Sequence, residues 1–132
     1  MKIQTMDYNS KNIKNWQMKP KKSELSYCTG SLNVAQIAIE RSLKIYLAKY
    51  RQVKIGITGR EPQTRFNEHL QEKEWARMVV KYKSTSQNNV NKLEDYFIEK
   101  YPRLKNQWIG QSILSNEGPN YLYFLLAVKI RR

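Results

Sequence analysis

The chain reads as an α+β domain: a small, mostly antiparallel sheet flanked by helices, in the order strand, strand, helix, strand, helix, with an extra C-terminal strand. Three observations predict it. Two short apolar runs, 44–50 and 53–58, meet at Arg51-Gln52 as the arms of a hairpin do. Two later segments space apolar residues three and four apart, the pattern of a buried helix face. Blocks rich in bulky and β-branched residues stand at 75–84 and 121–130.

The elements follow in order. Residues 1–30 set Lys11, Lys14, Lys19, Lys21 and Lys22 among Asn, Ser and Gln, with Pro20 against any helix, and read as a basic arm ahead of a domain spanning 31–132. Such an arm suits a phosphate backbone, with Tyr8, Trp16 and Tyr27 stacking on bases or docking on the domain; a solvated tail is the alternative. Val34, Ile37, Ala38 and Leu43 form a short helical stripe before the first strand. After the hairpin, Gly59 ends the second strand, and Pro62 suits the first turn of a helix over about 61 to 73, with Phe66 and Leu70 on its inner side. Val79 and Val80 centre the third strand. Val90, Leu93, Phe97 and Tyr101 define a helix over about 88 to 101, which Pro102 stops. The turn signal Asn116-Glu117-Gly118-Pro119-Asn120 precedes the last block, which reads as a strand, with a helix as the alternative. Trp75 and Trp108 read as core aromatics, and no internal repeat is seen.

Composition narrows the function classes. The 132 residues suit one domain with a modest core. Lysine and arginine number 24 against 11 acidic residues, a net charge of +13, which points to a polyanionic partner. No apolar run approaches the roughly 20 residues of a spanning helix, and the N-terminus lacks a signal-peptide core, so a soluble intracellular protein is expected. The lone Cys28 reads as an inert thiol, and no Cys/His group has zinc-ligand spacing.

Phosphodiester cleavage needs a group to activate water, positive charge for the phosphoryl oxygens and, in most cases, a metal for the leaving oxygen. Candidates occur in series. Tyr46 offers a phenol, Lys54 a cation, Arg65 a bidentate clamp, His69 a titratable group and Glu94 a carboxylate for a divalent ion. Gly56 permits close approach of a backbone or phosphate. The bland readings are a strand aromatic for Tyr46, surface cations for Lys54 and Arg65, and an ion pair for Glu94.

In this order and spacing the chain resembles the GIY-YIG nuclease family over about residues 43 to 108. Lys44-Ile45-Tyr46 stands as its first motif and Lys54-Ile55-Gly56 as its second. Arg65 and His69 follow, then Glu94 and, twelve residues later, Asn106. Lysine replaces the first motif's glycine at Lys44 and the second motif's tyrosine at Lys54, and the interval between the motifs is short. The resemblance implies a Mg²⁺ (or Mn²⁺) held by Glu94, water deprotonated by Tyr46, phosphoryl charge met by Arg65 and Lys54, and His69 as an alternative base or a partner of Tyr46. A two-residue turn at Arg51-Gln52 would put Tyr46 and Lys54 on opposite faces of the sheet. A three-residue connection or bulge puts them on one face, and that arrangement is the expectation.

The leading expectation is a metal-dependent endonuclease of low sequence specificity, acting on DNA in preference to RNA. Lys19, Lys21, Lys22 and Lys44 would bind nucleic acid. A non-catalytic nucleic-acid-binding protein of the same fold is the main alternative, motivated by the two motif positions that have become lysine. An RNA-associated structural protein needs only the basic surface.

Overall fold

The computed structural model describes residues 21–104 and 113–128. Within these residues seven elements follow in order: β1 (Glu24–Cys28), α1 (Leu32–Lys49), β2 (Gln52–Thr58), α2 (Pro62–Glu72), β3 (Arg77–Ser84), α3 (Gln87–Lys100) and β4 (Asn120–Ala127). The four strands form one sheet in the spatial order β1-β3-β4-β2. β4 runs antiparallel to both neighbours, and β1 lies parallel to β3 at one edge. The α+β class, the largely antiparallel sheet and the flanking helices agree with the sequence. Among the described residues, no helix is long and apolar enough to cross a membrane.

The first arm of the expected hairpin is not a strand. Residues 44–49 are the last turns of α1, an 18-residue helix. Ser31 caps it by accepting from the Val34 N–H, and Ala35, Ile39 and Leu43 bury its inner face. The stripe assigned to 34–43 continues through Tyr46, Leu47 and Tyr50, all packed against the same core, so one period of about 3.6 runs the whole length. Read alone, residues 44–50 also alternate well enough for a strand. The long inner stripe prevails, leaving Ile45 on the solvent side at 57% exposure. The Tyr50 N–H bonds the Tyr46 carbonyl at 2.9 Å, and the chain then turns directly into β2.

With no hairpin, β2 takes its antiparallel partner from the far end of the chain. Val53 opposes Leu126, Lys54 opposes Leu125, and Gly56 opposes Tyr123. The strand expected as an addition is therefore central. It is buried on both faces from Leu122 to Ala127, which accounts for its nearly continuous apolar sequence. The turn before it is closed by Asn120, whose buried side chain accepts from the Ser115 N–H and donates to the Ser115 carbonyl at 3.0 Å.

The 30/31 division between arm and domain does not coincide with the edge of the sheet. Residues Glu24–Cys28 join β3 in parallel, and Arg77 fastens them by donating to both Glu24 carboxylate oxygens at 2.8 and 2.7 Å. Gly30, with φ of 98°, makes the turn from β1 into α1.

Helices cover both faces. Ala35, Ile39 and Leu43 of α1 and Val90, Leu93 and Phe97 of α3 pack on Val53, Ile55, Val79, Leu122, Phe124 and Leu126. Glu40 joins these two helices, accepting from Tyr96 at 3.1 Å, from Lys100 at 2.8 Å and from Tyr101. On the opposite face, Phe66 of α2 packs with Met78, Val80, Tyr123 and Leu125, and Trp75 closes that cluster as a core aromatic. Burying a side chain such as Phe66 stabilises the fold by roughly 1.5–3 kcal/mol. The face under α2 carries the candidate site.

Candidate active site

Strand alternation puts Lys54 and Gly56 of β2 on the face opposite Val53 and Ile55, hence under α2. The same rule puts Tyr123 there and Phe124 on the other side. The register sets Tyr123 directly across from Gly56, with its ring over the glycine. A Cβ at Gly56 would lie 2.5 Å from Tyr123 Cζ and 2.8 Å from Cε1, nearer than real Cβ atoms come to their neighbours. Only a glycine admits the ring in this position.

From α2, Arg65 and His69 point down onto the tyrosine, four residues apart on one helix face. His69 Nε2 and the Tyr123 hydroxyl oxygen are 2.9 Å apart, and the rings meet edge to face at 5.8 Å between centroids. The Glu72 carboxylate stands 3.9 Å from His69 Nδ1 and favours the tautomer with its proton there. Nε2 then accepts from the phenol. Arg65 also hydrogen-bonds the Tyr123 side chain and pairs with Glu68 at 2.8 Å. Glu68 is shared: Arg60 donates to both of its oxygens, at 2.9 and 2.6 Å. Those hydrogen bonds hold the Glu68 carboxyl down at about 2.

The local electrostatics keep the tyrosine and the histidine uncharged. Burial pushes the Tyr123 phenol up to about 12, opposed by the charge and hydrogen bond of Arg65 and reinforced by the negative charges of Glu94 and Glu68. Burial also carries His69 down to about 4, helped by the positive charges of Arg65 and Lys54 and opposed by Glu68. Lys54 is itself held below its ordinary value, first by burial and then by Arg65 and Lys73, with Glu72 pulling the other way. The site is thus a neutral phenol and imidazole in contact, bordered by two cations.

This arrangement corrects the role expected for Tyr46. Tyr46 lies on α1 and packs edge to face on Phe124, with centroids 6.0 Å apart, on the other side of the sheet from Lys54. Neither turn geometry weighed for Arg51-Gln52 applies, because the residues before the turn are helical. His69 accordingly partners Tyr123 and not Tyr46. The structure brings Lys54, Gly56, Arg65 and His69 together. Glu94, on α3, is partly exposed, and its negative charge acts on Tyr123.

Among the expected nucleic-acid contacts, Lys44 and Lys22 are exposed, while Lys21 donates to the Trp75 carbonyl at 2.7 Å. Lys19 and Asn106 lie outside the described residues, as do Tyr8, Trp16 and Trp108. Sequence reasoning missed Tyr123. Its available signal was the alternation of Tyr121 and Tyr123 in the last apolar block, which marks one face of a strand in need of a partner.

The histidine makes stability depend on pH. Its folded value of about 4 lies below the ordinary 6.5, so between those values the unfolded chain binds the proton that the folded chain refuses. Stability is expected to be full above pH 6.5 and to fall as pH drops toward 4, by up to about 3 kcal/mol. Loss from Glu68 begins lower, between 4.5 and about 2. Urea unfolding at pH 7, 5.5 and 4.5 measures the slope, and His69→Gln is expected to flatten it across this window.

Comparison with protein-family profiles, with curated proteins and with solved structures finds no match to the chain.

Proposed function

We propose that this chain is a metal-dependent endonuclease that hydrolyses phosphodiester bonds in nucleic acid, DNA in preference to RNA. The observation that carries the reading is the Tyr123 hydroxyl held 2.9 Å from His69 Nε2, with Arg65 and Lys54 on the same face of the sheet. The reading keeps Lys54-Ile55-Gly56, Arg65, His69 and Glu94 from the GIY-YIG resemblance and replaces its first motif. Tyr123, on the strand antiparallel to β2, takes the place given to Tyr46.

A phenol with its proton bound until about pH 12 is no resting base. It acts here as a relay. Water attacks phosphorus and gives a proton to the Tyr123 oxygen as the tyrosine proton passes to His69 Nε2; the bond from phosphorus to the leaving oxygen breaks, that oxygen takes a proton from solvent, and His69, held well below its ordinary value, releases its own to solvent. Arg65, bonded to Glu68 and Tyr123, would turn its planar fork to the phosphoryl oxygens, and Lys54 adds a compact charge. Both have most effect where water is excluded, as under α2.

A lone carboxylate suits a hydrated hard cation that keeps most of its waters. Glu68 is committed to two arginines, and the described residues contain no cluster of three or more His, Cys, Asp or Glu placed to hold a metal. Glu94, on α3 across the sheet from α2 but with its charge reaching Tyr123, would hold Mg²⁺ or Mn²⁺, the ion keeping waters in its other positions. Such an ion, when bound, would supply positive charge for the leaving oxygen.

Purified protein incubated with single- and double-stranded DNA and RNA, in Mg²⁺, Mn²⁺ or EDTA, tests the proposal. Nicking is expected in either metal and not in EDTA, and Arg65→Ala or Glu94→Ala should each reduce it by about 10²-fold or more. Strong binding with no product in any metal would assign the chain to nucleic-acid binding alone.

A further inference from the structure

The α2 face of the sheet does not end at Tyr123. Two residues earlier on β4, about 7 Å along the strand, Tyr121 lies on the same face, paired with Thr58 on one side and Lys83 on the other. Across β3, on the edge strand, Tyr27 meets it edge to face with centroids 6.4 Å apart. Lys83 lies between them in the sheet and holds its ammonium 5.4 Å from the Tyr27 ring centre. Tyr27 remains 36% exposed and Leu25, on the same strand, 62%.

The pairing irregularity in β1 explains how Tyr27 reaches this position. Leu25 pairs with Val80 and Cys28 with Tyr82, so Ser26 and Tyr27 together oppose Lys81. A bulge of this kind re-aims a side chain, and here the ring is directed across β3 toward β4. The core does not require it: β1 buries none of its five residues fully.

We infer that Tyr27, Tyr121 and Lys83 form a stacking subsite for unpaired nucleotides flanking the phosphate at the site beneath α2. The inference rests on the proposed nuclease reading and adds where the substrate strand runs and in what form. Exposed aromatic rings bind any base that offers its face, and a cation beside them meets the phosphate joining stacked bases. The chain's net charge of +13 selects a polyanion as occupant, and continuity along one strand face with Tyr123 selects the same strand as the one proposed to be cleaved there. A base-paired duplex presents no free base face, so the occupant is single-stranded.

The test uses the full chain in EDTA, with a short single-stranded DNA carrying 2-aminopurine and a blunt duplex of the same sequence. Tyr27→Ala is expected to weaken single-strand binding by roughly 5- to 100-fold and to abolish quenching of the 2-aminopurine, leaving duplex binding nearly unchanged. Tyr27→Trp should retain both affinity and quenching. Lys83→Gln should reduce the salt dependence of binding by about one phosphate contact. Thermal melting of each variant close to the parent's separates lost contact from lost fold. Unchanged affinity in Tyr27→Ala, or equal loss on single strand and duplex, would overturn the subsite. Because neither metal nor turnover enters the measurement, its failure is read separately from a failure of the parent chain to cleave.

Discussion

Tyr123→Phe is expected to slow strand cleavage by about 10²- to 10⁴-fold, the range for loss of a positioned proton-transfer group, while nucleic-acid affinity changes little. Tyr46→Phe is expected to leave the rate within about twofold. The contrast is demanding because the substitutions are chemically identical and the two rings lie on opposite faces of one sheet. Tyr46 contributes ring packing on Phe124, which phenylalanine keeps. Tyr123 contributes a hydroxyl bonded to the chain's one histidine, which phenylalanine removes. A structural cost accompanies it: a buried His69 nitrogen left without its partner destabilises the fold by about 1–3 kcal/mol. Single-turnover cleavage of an end-labelled single-stranded DNA, below the melting temperature of both variants, separates the chemical loss from unfolding. Equal losses in the two variants would point to packing as the common cause, and full activity in Tyr123→Phe would remove the proton relay.

The parts of the site legible in the sequence are those set by local geometry. Lys54, Gly56, Arg65 and His69 belong to one strand-turn-helix unit, where Pro62 starts the helix, Phe66 fixes its inner face, and the four-residue spacing sets the arginine and histidine one turn apart. The strand, turn and helix of that unit are legible because each step rests on neighbours in the chain. The strand over 77–84 and the helix over 87–100 were legible for the same reason, through β-branched density and a clean apolar stripe. Residues 44–50 were misread because a seven-residue window satisfied both periods. The choice belonged to Ala35, Ile39 and Leu43, a turn or more upstream. Once that segment is helical, β2 requires another partner, and sheet pairing over some 70 residues supplies Tyr123. No local pattern states such a register. The edge strand was hidden in another way: Glu24–Cys28 is short, exposes its apolar Leu25 and Tyr27 and is bulged, so no alternation announces it.

The glycine beneath Tyr123 gives the second large effect. Gly56→Ala would place a methyl carbon 2.5 Å from the Tyr123 ring carbon Cζ. A tyrosine at the surface would swing aside, but this one is 2% exposed and packed among Phe66, Val80 and Leu125. Its ring must therefore leave a filled core or the two strands must part, at about 1–3 kcal/mol for an overpacked site. Either movement carries the hydroxyl away from His69, so cleavage is expected to fall about as far as in Tyr123→Phe. The double variant identifies the cause. Tyr123→Leu alone opens space and costs about 2–4 kcal/mol. Combined with Gly56→Ala, it removes the ring that the new methyl group would strike, so the two costs should sum to more than the measured one by at least about 1 kcal/mol. The double variant is then more stable than the sum predicts while cleavage stays low, since the phenol is gone. Urea unfolding of the four proteins in this cycle measures the coupling, and strictly additive costs would mean that glycine and ring do not contend for the same space. A large coupling ties Gly56, which permits close approach, to the tyrosine that makes that approach, and the pairing of β2 with β4 to the position of the Tyr123 hydroxyl.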